Sequence, residues 1–363
     1  MQATVLSSGS FTPPPGHLWS VHILRGIASF LVVCEHIIGR PPYPEFNHLF
    51  QWLDGLGHFG VVCFFVISGF VLPRSLGPEY SLNRLGPFLL RRAIRIEPTY
   101  LASVLLTVAA VFLLTRVAPG AAPWNPTLPL IFQHALYLVP FTDSEWLLPV
   151  YWTLAVEFQF YLVVGLLYPA VLAAHRSSPR LGYVVAAAFS LLTLTASSLP
   201  QVQLLKYSPF FALGLLIDRH CHARLHGFWF LAVILGVSGV ALAGGINPHY
   251  WAAGLMTVFI ILSWNPPGPQ GGRIQRGLVF LGTISYSWYV IHQLVANLGE
   301  TTARFLAARP GIPLHQLVVN AVPVASFAGS LLAAWLLYKI VEKPTHEAAR
   351  RLPLRRKSAA RAH

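Results

Sequence analysis

The chain has 363 residues, of which 55% are hydrophobic and only 10% charged, with a mean hydropathy of +0.59. A soluble domain carries about 25% charged residues, so this composition excludes an ordinary aqueous globule and indicates a polytopic membrane protein. A formal charge of +13 invites nucleic acid as a partner, but the basic residues sit at the ends of apolar segments rather than in one patch, which argues against that reading.

In chain order, residues 1–17 are polar and Pro-rich, with no basic residue ahead of the first apolar stretch. They read as an N-terminal cytoplasmic tail and not as a cleaved signal peptide. Apolar stretches follow at 18–38, 56–73, 96–116, 147–173, 181–199, 203–217, 228–244, 250–264, 278–298 and 316–341. They predict an all-α fold, a polytopic transmembrane helix bundle of about ten spans with both termini cytoplasmic. The stretches at 203–217 and 250–264 are short for a span. A further one, 127–141, is broken by Pro129 and Pro140 and reads as a surface or re-entrant segment. Charge bias supports the orientation. The loops placed inside collect Arg74, Arg84, Arg91, Arg92 and Arg95, then Arg176 and Arg180, Arg219 and Arg224, Arg273 and Arg276. Those placed outside hold Arg40, Arg116, Lys206, Arg304 and Arg309. The domain plan is thus a tail at 1–17, a transmembrane domain at 18–345 and a basic cytoplasmic tail at 346–363 that suits anionic lipid. Cys34, Cys63 and Cys221 give no disulfide framework.

The first apolar stretch contains LRGIASFLVVCEHI, which places Arg25 and His36 eleven residues apart. On a helix they share one face, about 16 Å apart along the axis. An arginine at membrane depth costs roughly 2.5–3.5 kcal/mol, so such a stripe is expected to face a polar interior site. Glu35 points off that stripe. A histidine near neutral pKa can take a proton from a hydroxyl that attacks an acyl group. His36 could equally be a structural histidine bonded to a neighbouring helix, and spacing alone does not separate the two readings. In the second stretch, Gly60, Ser68 and Gly69 permit close helix packing. RRAIRIEPTY then puts Arg92 and Arg95 on one face at a helix start, with Arg91 flanking and Pro98 restricting the next turn. Clustered guanidiniums suit phosphate oxygens, although a plain positive-inside anchor has the same look.

Glu157, in VYWTLAVEFQFYLVV, is a membrane carboxylate that needs a cation or hydrogen-bond donor; Arg25, His36 or an inner arginine are the candidates. Ser285, Tyr289 and His292 share a helical face, where a structural histidine is the default. Glu342-Lys343-Pro344 reads as an interfacial stop. No metal site is expected: His220, Cys221, His222 and His226 are irregularly spaced and read as a solvated turn. The chain carries no Gly-rich phosphate loop and no GxSxG elbow.

Taken together, these motifs resemble the acyltransferase 3 family of integral membrane O-acyltransferases, such as those that acylate bacterial exopolysaccharide, O-antigen or Nod factor. The resemblance rests on Leu24-Arg25 through His36, Gly60 through Phe70, Arg91-Arg92 through Pro98 and Tyr100, Trp152 through Tyr161, Ser285-Tyr286 through His292, and Glu342 with Pro344. It implies about ten helices in the bacterial cytoplasmic (inner) membrane. It implies an acyl-CoA donor, usually acetyl-CoA, and a carbohydrate or glycolipid hydroxyl as acceptor. It implies that Arg25 and His36, and the pair Arg92 and Arg95, are essential. Val62 stands where the family often has an acidic residue. No periplasmic hydrolase-like domain is expected after the last span.

The expected mechanism follows. Arg91, Arg92 and Arg95 hold the phosphates of acyl-CoA, and Arg25 positions the donor or steadies developing negative charge. His36 is the general base, and Glu157 orients a basic partner or tunes His36. Direct transfer and an acyl-histidine intermediate both remain open. The rival expectations are a transporter that passes acyl groups to a separate enzyme, acylation of a small secondary metabolite such as a macrolide, and a membrane scaffold.

Overall fold

The computed structural model describes residues 18–38, 55–117, 126–222, 227–264, 266, 268–307 and 315–351. The tail at 1–17, residues 352–363 of the basic tail and His226 lie outside the described residues. All ten apolar stretches are helical, and the described residues contain no strand. The helices are α1 (Trp19–Ile37), α2 (Leu56–Leu76), α3 (Leu85–Val117), α4 (Leu128–Ala135) and α5 (Trp152–Ser177). Next come α6 (Pro179–Ala188), which continues as a 3-10 helix over Phe189–Thr195, then α7 (Leu204–His222), α8 (Gly227–Ala243) and α9 (Pro248–Ser263). The chain ends in α10 (Arg273–Ala307), α11 (His315–Leu337), a π-helical turn at Tyr338–Glu342, and α12 (Lys343–Arg351).

Among the described residues six helical runs are long and apolar enough to cross a membrane: Trp19–Ile37, Leu56–Leu76, Leu82–Arg116, Pro149–Ser177, Arg273–Leu306 and Ala321–Arg351. The runs Pro179–Thr195, Gly227–Ala243 and Pro248–Ser263 are apolar but shorter, and α7 carries Lys206, Asp218 and Arg219 within its length. Large apolar side chains stand exposed on the outside of these helices, among them Leu113 on α3, Leu235 on α8 and Phe259 on α9. In water such a surface would be a liability; in hydrocarbon it is the solvated face.

With lipid outside, no hydrophobic force draws one helix to another, and close van der Waals packing must do so. Glycines supply it. Helix α1 lies between α2 and α10. A Cβ on Gly282 would stand 2.2 Å from the carbonyl oxygen of His22, and one on Gly60 would stand 2.4 Å from that of Ala28. Gly69 and Gly214 bring α2 against α7 in the same way, with only 2.2 Å between a Cβ on Gly214 and the Val66 carbonyl oxygen. Hydroxyl groups then tie α10 to its neighbours. Ser29 donates to the Ser285 carbonyl at 2.9 Å, Ser103 to the Val290 carbonyl at 2.7 Å, and Trp288 Nε1 to Ser330 at 2.9 Å.

Two local expectations change and a third holds. The arginines of RRAIRIEPTY are not at a helix start, because α3 begins at Leu85 and runs through Pro98 to Val117. The proline removes one N–H from the helix without ending it. Glu342-Lys343-Pro344 is not a stop either. Lys343 N–H bonds the Tyr338 carbonyl five residues back, and the chain continues as α12. Pro344 has no N–H for the carbonyl of Ile340, and the widened turn takes up that mismatch. The 127–141 segment does not span: α4 is one short helix followed by a 3-10 turn at Val139–Phe141. Its buried His134 accepts from Leu147 N–H through Nε2 at 3.0 Å, so Nδ1 carries the proton and donates to the Leu130 carbonyl at 2.8 Å. Burial holds this histidine below its ordinary pKa.

Replacing Gly214 by Leu is expected to pry α7 from α2 and to cost about 3 kcal/mol, the upper end for an overpacked core. Gly236→Ala, in open space on α8, is expected to be neutral. Thermal unfolding of the two variants in the same detergent checks this.

Candidate active site

The bundle encloses a cavity of about 520 Å³. Helix α1 supplies His22 and Arg25, which are three residues apart and so share a face. Helix α2 supplies Phe64, Ser68 and Arg74; α3 supplies Arg92 and Arg95; α5 supplies Thr153, Glu157 and Tyr161. Tyr286 and Tyr289 come from α10, Glu342 from the π turn, and His346 and Arg350 from α12. Five guanidiniums therefore face two carboxylates in this cavity. Between unit charges 4 Å apart the interaction is about 4 kcal/mol at an effective dielectric of 20, against about 1 kcal/mol in bulk water. The unbalanced positive charge makes the cavity a receptor for an anion.

Each charged group is held differently. Arg25 has no hydrogen-bond or ion-pair partner among the described residues. Its charge is offset only at longer range, by Glu342 and Glu157. Arg92 donates to Ser75 Oγ at 2.6 Å and lies over the Tyr161 ring, 5.3 Å from its centroid. Arg74 stacks on Phe70 at 4.2 Å and is fixed by Asp218, 3.2 Å from its Nε. Asp218 is wholly buried and also pairs with Arg219, which in turn donates to Tyr168 at 2.9 Å. Glu157 accepts from Tyr161 in a short hydrogen bond and from Ser68 at 3.2 Å. Those two hydroxyls, rather than a cation, are the partners that hold it.

Glu342 is the least expected member of the wall. The π turn swings it inward to 2% exposure. One carboxylate oxygen accepts from both the amide and the hydroxyl of Ser287, at 3.1 and 2.6 Å, and the other lies 3.8 Å from His346 Nε2. π turns are often found at functional sites.

The other candidates fall elsewhere. His36 does not line the cavity. It sits half-buried further along α1, with Nδ1 donating to the Val32 carbonyl at 2.8 Å and its ring edge-on to His292 at 5.1 Å. His292 is fully buried and bonds the Tyr289 carbonyl through Nδ1 at 2.7 Å. Its ring lies 5.9 Å from that of Tyr289, so a column of rings runs from the cavity wall to His36. The stripe expected on α1 is real in direction, and only its Arg25 end opens into the cavity. Glu157 lines the cavity and His36 does not, so the expected contact between them is not made. Arg91 is likewise absent from the lining, while Arg92 and Arg95 are both in it. Glu35 caps α2 by accepting from Gly57 N–H at 2.5 Å. The Ser285 hydroxyl donates to the Gly282 carbonyl within α10, while its backbone carbonyl accepts from Ser29, and Val62 is buried in the apolar core.

His22 and His346 were not singled out in the sequence; Tyr161 and Tyr286 entered only as parts of the family motifs, and Arg74 and Arg350 only as basic loop and tail residues. His22 carried a usable signal, its spacing from Arg25. Arg74 and Arg350 could not be told from positive-inside anchors. Among the described residues no group of three or more His, Cys, Asp or Glu could hold a metal ion. His220 is taken up by Tyr183, whose hydroxyl lies 3.1 Å from its Nδ1.

A family profile of the acyltransferase 3 type, described as an acyltransferase domain, matches residues 18–339. The chain is 26% identical over 368 residues to the acyltransferase MdmB of Streptomyces mycarofaciens, covering 88% of this chain and 89% of that protein. It is 35% identical over 141 residues to the O-acetyltransferase OatA of Staphylococcus aureus, covering 36% of this chain and 23% of that protein. No solved structure matches the chain.

The ion-pair cluster behind Arg74 gives a test of the cavity's construction. Asp218→Ala leaves Arg219 buried and uncompensated and is expected to cost about 3–5 kcal/mol. Glu300→Ala, which breaks the exposed pair with Arg304, is expected to cost less than about 1 kcal/mol. Unfolding midpoints in detergent separate the two.

Proposed function

The chain belongs to the acyltransferase 3 family, and from that premise we propose that it transfers an acyl group, most simply acetyl, from acyl-CoA to a hydroxyl of a cell-surface carbohydrate or lipid-linked glycan in the bacterial cytoplasmic membrane. That it is a multi-pass membrane protein and an O-acyltransferase is already carried by the family match and the helices. The observation that supports the donor is the cavity wall: Arg74, Arg92, Arg95 and Arg350 gather at one end, and Arg25 stands unpaired further in. Guanidinium forks bind phosphate oxygens bidentately, and coenzyme A presents a diphosphate and a 3′-phosphate. The arginine end would hold these groups, leaving the thioester to extend toward Arg25 and Tyr289.

In this reading the acceptor hydroxyl attacks the thioester carbonyl, the hydroxyl proton passes to a base, and the thiolate of coenzyme A leaves and is protonated. Arg25 steadies the oxyanion that forms on the carbonyl oxygen. His36 is the proposed base. Its ring stands 5.1 Å from that of His292, which lies 5.9 Å from that of Tyr289 on the cavity wall, so the proton reaches it through this column rather than by direct contact with the cavity. Glu157, held by Tyr161 and Ser68, fixes that wall beside Arg25 and Arg92. A small secondary metabolite is the second reading for the acceptor. What favours it is the cavity itself, whose volume falls in the range of about 300–1,000 Å³ typical of small-molecule sites.

The test is the purified protein in liposomes with labelled acetyl-CoA and a panel of glycan and small-alcohol acceptors. Label esterified to an acceptor is expected. Label that merely crosses the bilayer overturns the enzyme reading in favour of transport. His36→Ala is expected to lower the rate by about 10²–10⁴ with protein levels unchanged; a variant that keeps most of the transfer removes His36 as the base. Arg92→Ala is expected to raise the KM for acetyl-CoA roughly 10–100-fold; an unchanged KM removes the phosphate role.

A further inference from the structure

The cavity has two unlike ends. Along α2 its lining runs from Val61 to Arg74, about 20 Å of helix. The end near Arg74 is also bordered by Arg92, Arg95 and Arg350. At the end near Val61 the lining residues are Phe64, Phe65, Thr153, Leu154 and Tyr289, and the nearest charged group is Glu157, one turn along α5 from Thr153 and held by Ser68 at 3.2 Å. The Tyr289 hydroxyl is 2.8 Å from Thr153 Oγ1, and the Tyr289 ring meets Phe64 edge-to-face at 5.7 Å. Phe65 is backed in turn by Tyr207 at 5.1 Å and Phe211 at 4.8 Å. The uncharged end is thus a packed aromatic floor.

A charged receptor at one end and an apolar floor at the other fit a ligand that is anionic at its head and apolar at its tip. Building on the acyl-CoA reading above, we infer that Phe64, with Val61 and Tyr289, forms the floor of an acyl pocket and restricts the donor to short acyl chains. Aromatic rings locked by neighbours do not yield to a longer chain, since close-packed interiors accommodate added methylenes poorly. The polar side of the same floor, the Tyr289–Thr153 hydroxyl pair, faces the position of the carbonyl. Phe64 is a specificity-determining residue in this account, and it takes no part in proton transfer.

The experiment is equilibrium binding of coenzyme A, acetyl-CoA, butyryl-CoA and hexanoyl-CoA to the detergent-purified full chain, which requires no acceptor. The wild type is expected to bind acetyl-CoA at least tenfold more tightly than hexanoyl-CoA. Phe64→Ala is expected to invert that order. Each further CH₂ buried in the widened pocket tightens binding about fourfold, so hexanoyl-CoA should exceed acetyl-CoA by tenfold or more. Phe64→Leu, a gentler change, should move the optimum to butyryl-CoA. Phe259→Ala, on the lipid face, should keep the wild-type order. Affinities are read relative to free coenzyme A in each variant, so a general loss of fold does not imitate a shift in preference. An unchanged order in both Phe64 variants overturns the floor assignment and leaves the donor reading intact. Failure of the wild type to bind coenzyme A or any thioester overturns both.

Discussion

A guanidinium cannot be left facing hydrocarbon, and most of this architecture follows from where the charged side chains go instead. Arg25 sits in the middle of the first span and turns inward, together with Arg74, Arg92, Arg95 and Arg350 from three other helices. The interior must then hold a polar space beside its apolar core, and the helices that line that space need close contacts of another kind. Glycine contacts do that work on either side of α1 and between α2 and α7, and buried hydroxyls anchor α10. Desolvation sets the terms for the carboxylates too. Asp218 is tolerated because two arginines share it, and Glu342 because Ser287 gives it two hydrogen bonds.

Much of this was legible in the residues, and what was missed has a physical cause. Hydropathy located every apolar helix, because a membrane helix advertises itself by length and apolarity, and it passed over the polar α12. It did not settle how many of them span, since α6, α8 and α9 are short and α7 carries three charged groups. The family was legible because weak motifs recurred in order, and the acyltransferase match over residues 18–339 bears that out. The inward turn of Arg25 was readable from the cost of the alternative.

Other features depend on packing between helices distant in sequence. Helical spacing says that Arg25 and His36 share a face, and it is silent on what fills the space between them. In the structure that space is closed by rings from α10, so the two residues lie on the same stripe in different surroundings. Glu342 was hidden for another reason. A proline two residues on looks like a helix end, whereas here a turn with one extra residue absorbs it and delivers the carboxylate to the interior. Arg74 and Arg350 carry the sequence pattern of anchors, and only their neighbours separate the two roles.

The partition between the cavity and His36 has an electrical consequence. A space that opens to water among exposed arginines takes the potential of the solution it joins. The cavity occupies about 20 Å along α2, in a hydrocarbon layer of about 30 Å. With that space filled by water, a voltage across the membrane would fall mainly across the remaining thickness, the layer of Tyr289, Thr153 and the ring column behind them. At about 2.3 kcal/mol per elementary charge per 100 mV, the field across so thin an insulator is roughly three times steeper than in plain bilayer. A proton or oxyanion displaced through that layer during turnover would feel most of the voltage of an energised cell.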